Sequence, residues 1–457
     1  MISAPTLAAV FITVTAAAET EPALRVVTLP DALSIAKQKQ PRLAEAQARV
    51  RQAAFAVDRV SAQWLPKAGA SAQIFAASEN NTTATYAGRS VLDIPRIGSG
   101  KVTTDPNWTP YGSTFVGIGA LQEVFDFGRI GLERDSAQSH LDATKFGEQA
   151  EWLEVSALVE LAFLSTRSGH SLVDSANDAL QRAKLHQEFT RAGVTSGVRA
   201  QVDLLRAEAE VARAEVVLAR AEAGLQQSQA VLGAAIGLTE SVDAKGDEPV
   251  TPPPAGLDQL LQQAEQQYPR LSQVRKDAES AQRYAKFQGS LWRPDLGLTA
   301  GLNTRAGGGP PSSGTTPWGS GWAPIVPNWD VGLVLTWPVF DPVQLKRADE
   351  ATARAEELTA VSSEAQLQLL SSVRQAYLAA TTAREVLSRV ERQRDAAVAA
   401  SEQADARFKT GLGSTLELLE AESFRSEAEI QLVLAKFELA RASSALQRTV
   451  GIPAGEK

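Results

Sequence analysis

Two hydrophobic periods share the chain. In four places apolar residues recur at every second position. Ala70, Ala72, Ile74 and Ala76 alternate with Ser71, Gln73 and Phe75, and Leu296, Leu298, Ala300 and Leu302 alternate with Gly297, Thr299, Gly301 and Asn303. Val331, Leu333, Leu335, Trp337 and Val339 alternate with Gly332, Val334, Thr336 and Pro338, and Phe115, Gly117, Gly119 and Leu121 form a weaker fourth case. A period of two over about ten residues predicts strands, with one apolar face and one small or polar face. Elsewhere the period is that of a helix. Val373, Tyr377, Ala380, Ala383, Leu387 and Val390 are spaced 4, 3, 3, 4 and 3, one face of a helix.

Proline placement sets the limits of the helical regions, because an interior proline costs a helix about 3 kcal/mol. None occurs between Pro110 and Pro249 or between Pro342 and Pro453. Val343 to Thr410 also lacks glycine, which predicts a helix of roughly 100 Å, coiled-coil-like in its length. The matching first-half stretch, about Arg129 to Ala192, is interrupted by Gly131, Gly147 and Gly169. Each long helix is expected to stop at a short turn, Arg191-Ala192-Gly193-Val194-Thr195-Ser196-Gly197 or Lys409-Thr410-Gly411-Leu412-Gly413-Ser414. Glycine there provides a left-handed cap, with Gly193 read as the counterpart of Gly411. Shorter helices return over roughly 200–236 and 415–450, so the chain makes two antiparallel helical hairpins.

The order of elements is duplicated. Pro41-Arg42-Leu43 and Trp64-x-Pro66 reappear as Pro269-Arg270-Leu271 and Trp292-x-Pro294 at one offset, and Val124-Phe125-Asp126 returns as Val339-Phe340-Asp341. Such self-similarity means one architecture built from two like units. The expected division is a leader over 1–18, a first repeat over 19–238, a linker over 239–256 and a second repeat over 257–457. Loops are expected over 79–112 and 304–328, the latter holding Trp318 and Trp322.

Composition narrows the class. The net charge of −8 is spread over helical stretches with both signs interspersed, which is unlike the basic face of a nucleic-acid binder. Beyond the N-terminus no apolar run is long enough for a spanning helix. Residues 1–18 resemble a signal peptide, with an apolar stretch from Leu7 to Val14 and Ala16-Ala17-Ala18 as the cleavage site. The chain has no cysteine, hence neither a disulfide nor a lipid anchor of that kind. Strands of this length suit a tilted bilayer crossing, where only a closed barrel is tolerated. Four strands cannot close one alone; three copies would supply twelve. The competing reading is a non-channel periplasmic coiled-coil scaffold with β caps.

Together these motifs resemble the TolC-like outer-membrane efflux proteins over essentially the whole mature chain. The resemblance lies in the duplicated helix–strand–loop–strand–helix order, the Trp-x-Pro and Phe-Asp junctions, and the tip segments. Those tips, Arg191-Ala192-Gly193-Val194 and Arg407-Phe408-Lys409-Thr410-Gly411-Leu412, are followed by Asp203-Leu204-Leu205-Arg206 and Glu417-Leu418-Leu419-Glu420. It implies a mainly α protein with a membrane β part: a homotrimer with a 12-stranded barrel in outer-membrane lipid, continued by a helical tunnel in the periplasm. It also implies a periplasmic adaptor (membrane fusion) protein and an inner-membrane pump of RND or ABC type as partners. The exit duct of a type I secretion system is the alternative within this class.

By the same resemblance, Glu417 and Glu420 would form acidic rings at the periplasmic gate, with Asp203 as their first-half counterpart. Gly193, Val194, Gly411 and Leu412 would meet the adaptor. The family's tip latch uses an Arg and a Tyr where this chain has Gly413 and Phe408, so another contact is needed, such as Arg191, Arg199 or Lys409 with Asp203 or Glu417. Trp64 and Trp292 mark the junction near the membrane interface, as part of an aromatic girdle or as plain packing. Catalysis, metals and cofactors find no support. His140, His170 and His186 have no ligand spacing and are expected on the surface or tunnel wall, and Gly307-Gly308-Gly309 precedes Pro310-Pro311, not a helix.

Overall fold

In the computed structural model, residues 24–78, 110–246, 256–307 and 326–455 are described. The leader and both tryptophans of the second loop lie outside them. The first unit opens with strand β1 (Arg25–Val27) and helices α1 (Leu29–Lys39) and α2 (Pro41–Ser61). Thr28 and Asp31 form a reciprocal capping box at the start of α1. Pro41 then starts α2 from its first position, where its missing N–H costs nothing. A single 3-10 turn, Ala62–Trp64, leads into β2 (Lys67–Ser78). Strand β3 (Pro110–Phe125), helix α3 (Arg129–Thr195) and the returning helix α4 (Gln201–Ala235) follow.

After β4 (Val242–Ala244) the second unit repeats this order. Helices α5 (Leu257–Gln267) and α6 (Pro269–Gln288) precede strands β5 (Asp295–Gly307) and β6 (Val326–Thr336). Helices α7 (Pro342–Lys409) and α8 (Thr415–Val450) complete it. The expected loops are therefore shorter at their edges, and β6 stops at Thr336 before Trp337 and Val339.

Three expectations need correction. The joining segment is not wholly irregular, because β4 pairs in parallel with β1, Arg25 opposite Val242 and Val27 opposite Ala244. The glycines of the first long helix do not interrupt it. A Cβ on Gly169 would lie 3.3 Å from the Leu225 backbone, so this glycine serves the close approach of α4 to α3. Finally, α3 runs through Gly193, and the left-handed residue of the first tip is Gly197 (φ +76°), matching Gly411 (φ +77°).

The four long strands form one antiparallel sheet in the order β2-β3-β5-β6, leaving β2 and β6 as edges. Register gathers apolar residues on one face: Ala70 pairs with Ile118, Ile118 with Leu302, and Leu302 with Trp329. Gly69, Gly119, Gly301 and Asp330 align across the other face. Gly301 has a steric reason, since a Cβ there would fall 2.7 Å from the Asp330 carboxylate. Val331, Leu333 and Leu335 on β6 are exposed in the single chain.

The two largest helical cores lie beyond the sheet. Phe163, Val155 and Val159 of α3 pack with Leu33, Leu43, Leu232, Ile236 and the β1–β4 pair. In the second unit Leu369, Val373, Ala380 and Ala383 of α7 pack with Leu260, Leu271, Leu446 and Val450. The small helices thus hold each hairpin midway along its length.

Candidate channel constriction

The end of the molecule distant from the sheet carries the predicted gate residues. Both tips close in one way. The carbonyl of Gly193 accepts from Val198 and Arg199 N–H at 2.9 and 3.1 Å, and that of Arg407 accepts from Leu412 and Gly413 N–H at 2.9 Å each. Gly197-Val198 therefore corresponds to Gly411-Leu412. Val198 is 81% exposed and Leu412 77%. Gly193 and Val194 instead belong to the last turn of α3, half-buried. A Cβ on Gly193 would meet the Arg199 side chain at 2.7 Å, so glycine there lets Arg199 fold back over the helix end.

Arg199 then crosses to the second hairpin. Its guanidinium donates to the Phe408 carbonyl (3.1 Å) and to Thr415 Oγ1 (3.2 Å), and its Cζ lies 3.6 Å from the centroid of the Phe408 ring. Among the described residues of the single chain, the tip cations make other contacts than those expected with Asp203 or Glu417. Arg191 pairs with Glu208 at 3.6 Å, Lys409 with Asp405 at 2.6 Å, and Asp203 with Arg206 at 3.7 Å. Phe408, where the family's latch has a Tyr, is fully buried and offers Arg199 its ring and its carbonyl.

Behind the clasp lies a polar seam between α3, α7 and α8. Arg182 bridges Glu422 and Glu429, each at 3.0 Å, and Arg425 also binds Glu429 at 2.9 Å. Ser401 donates to Glu422 at 2.6 Å. His186, only 9% exposed, sits 3.9 Å from both Asp405 and Glu422 carboxylates, which overturns its expected place on the surface or tunnel wall. Burial alone would raise the Glu422 carboxyl, but the nearby His186 ring, the Ser401 hydrogen bond and the Arg182 charge outweigh it and hold it at about 2. The other two histidines also face carboxylates, His170 to Asp243 at 2.7 Å and His140 to Asp277 at 3.4 Å. Only charge patterning across three helices could have exposed this seam in the sequence.

The seam fixes the rotation of α8. Leu418, Glu422, Arg425 and Glu429 face the neighbouring helices, which leaves Glu417 and Glu420 on the opposite, exposed side. Ser414 caps the helix by accepting from the Glu417 N–H at 3.1 Å. Glu417 also touches Arg407 at 3.2 Å, an exposed pair, while Glu420 makes no ion pair among the described residues. Asp203 stands one turn into α4, half-buried. Trp64 and Trp292 lie at the two helix-to-strand junctions, both exposed. The Phe-Asp motifs start the long helices: Asp126 accepts from the N–H groups of Gly128 and Ile130, Asp341 from those of Val343 and Gln344.

A sheet with an apolar outer face, joined to helical hairpins too polar to enter a bilayer, defines an outer-membrane channel subunit with a periplasmic helical part. No helix among the described residues is long and apolar enough to cross a membrane. The family model for outer membrane efflux proteins matches residues 32–238 and 260–452, and the chain belongs to that family. It is an efflux channel and not an enzyme, and its family works in tripartite systems with an adaptor and an inner-membrane pump.

Solved structures agree on the fold. The outer-membrane channel OprN is 21% identical with a TM-score of 0.72, over 93% of this chain and 89% of its own. VceC of Vibrio cholerae is 19% identical with a TM-score of 0.71, over 93% of this chain and 96% of its own. MtrE of Neisseria gonorrhoeae, solved in its open state, is 20% identical with a TM-score of 0.71, over 93% and 89%. No curated protein matches the sequence.

Proposed function

We propose that three copies of this chain close a twelve-stranded barrel through their β2 and β6 edges and export solutes through the helical tunnel beneath it. The observation that carries this is the four-stranded sheet itself, apolar on one face and open at both edges. An open edge in lipid leaves backbone groups unsatisfied at several kcal/mol each, so the strands need a neighbour. Trp64 and Trp292 belong to the aromatic girdle at the periplasmic interface. Residues 1–18 act as an export leader, and 19–238 and 257–457 as the two repeats joined by 239–256.

Glu417 and Glu420 line the narrow end, each repeated three times around the axis, with Asp203 nearby. Rings of carboxylates favour cations. The exposed tips Gly197-Val198 and Gly411-Leu412 meet the helical hairpin of a periplasmic adaptor, with Gly193-Val194 supporting the first tip from within α3. An RND or ABC pump supplies the energy. MtrE has an open state, and this chain is proposed to open likewise by parting its tips.

Purified protein in planar bilayers should conduct, with cations preferred over anions. Replacing both gate residues, Glu417→Gln and Glu420→Gln, should reduce that preference while leaving the trimer intact. A trimer that never conducts defeats the channel reading.

A further inference from the structure

The exposed side of α8 holds more than the two glutamates. Glu417, Glu420, Phe424, Glu427, Gln431, Leu434 and Glu438 follow one another at spacings of 3, 4, 3, 4, 3 and 4, a single stripe along the helix. All but Gln431 are exposed. Most members are acidic or polar, which solvent explains. Phe424 is different. It is 67% exposed, one turn beyond Glu420 and about 6 Å further from the tip, and its ring meets no aromatic or cationic partner among the described residues. Its neighbours on either side do turn inward: Ser423 accepts from Arg213 at 3.3 Å and Arg425 binds Glu429. The helix is thus held in a rotation that leaves the aromatic ring in the open beside the gate.

The first repeat shows that the backbone does not require this. Strand and cap alignment place Glu210 of α4 at the position of Phe424, and Glu210 pairs with Arg213 at 3.7 Å. A half-buried glutamate paired with an arginine suffices there.

We propose that Phe424 is a specificity-determining residue of the export path: an apolar aromatic step just inside the acidic constriction, selecting bulky organic cations with an apolar or aromatic body. This rests on the reading of the Glu417–Glu420 face as the tunnel wall. Threefold repetition sets three rings around the path. A hydrated inorganic ion must pass them without gaining contacts, and apolar constrictions resist wetting. A cation carrying its own apolar surface loses little water there and meets the negative faces of the rings. The glutamates select by charge; the phenylalanines select by surface.

The test uses potassium current through the full-length trimer in planar bilayers, with tetraphenylphosphonium and tetraethylammonium added as blockers at the periplasmic end. Wild type should bind the aromatic cation more tightly of the two. Phe424→Ser should cut that ratio by roughly fivefold and raise potassium conductance, and Phe424→Trp should keep the ratio. Glu417→Gln with Glu420→Gln should change charge preference but leave the ratio. If the glutamate variant acts and the ratio survives Phe424→Ser, the aromatic step is overturned alone. If neither has an effect, the tunnel-wall reading falls and this inference with it. A Phe424→Ser trimer that dissociates more readily with an unchanged ratio places the ring between subunits, which also overturns the proposal.

Discussion

The two hairpin tips share a backbone and differ in nearly every side chain that matters. Gly197 and Gly411 both take the left-handed conformation, and Val198 and Leu412 both project from the turn. Two residues after the glycine the copies part. The first has Arg199, the second Gly413; then Asp203 stands against Glu417, Arg206 against Glu420 and Glu210 against Phe424. The arginine expected at the second tip is on the first, reaching across to Phe408 and Thr415 of the second. Cap geometry tolerates only glycine at one position and leaves the others free, so duplication preserved the turn while its flanks diverged into a donor and a receiver.

The largest break in this comparison should come from Arg182, which joins the hairpins behind the clasp. Arg182→Ala leaves Glu422 and Glu429 mostly buried with less counter-charge, a loss of about 3 kcal/mol. Amide hydrogen exchange of α8 over 418–430 at neutral pH reads it directly. Unchanged protection would mean the seam does not hold the hairpins together. Acid acts on the same group. The Glu422 carboxyl is depressed from 4.5 to about 2, so its stabilising contribution is complete above pH 4.5 and is lost as pH falls towards 2. Wild-type protection should fall across that window, and Glu422→Gln should remove most of the slope.

Much of this frame was legible in the sequence because it rests on local rules. Proline-free intervals mark both long helices, alternation marks the strands, and the Phe-Asp junctions fall where strands give way to the long helices. The first tip was misplaced by one turn because Gly193 and Gly197 are both plausible caps. Only the fold-back of Arg199 decides between them, and that contact depends on a partner 209 positions away. The three-residue strand β4 was illegible for a similar reason, since its partner β1 lies more than 200 residues earlier and neither is long enough to show a period. His186 reads as a surface or tunnel-wall residue because it lies on one long helix without ligand spacing. It is buried because it and Arg182 meet carboxylates of α7 and α8, which pattern along one helix cannot reveal.

A smaller effect should follow from the clasp. Arg199→Ala removes two charge-assisted hydrogen bonds and the stacking on Phe408, about 2 kcal/mol in total. Arg199→Lys should recover little, because an ammonium lacks the planar fork that bonds a carbonyl and a hydroxyl while lying on a ring. Limited proteolysis at the 196–200 turn measures the loosening. If alanine and lysine variants are cut no faster than wild type, the crossing arginine does not close the tip.

The smallest effect on stability belongs to the residues given the largest role in function. Glu417 loses only an exposed contact with Arg407 when changed to glutamine, about 0.5 kcal/mol, and Glu420 has no ion pair among the described residues to lose. Asp203→Asn likewise gives up a single i,i+3 contact with Arg206 on its own helix. Melting of the trimer should therefore be almost unchanged in all three variants. Cation preference should fall for Glu417→Gln and Glu420→Gln, which are exposed, but hardly for Asp203→Asn, whose side chain is half-buried. Equal effects from the two repeats would show that the acidic gate is shared between them; an effect confined to α8 would show that one copy builds the frame and the other selects what passes through it.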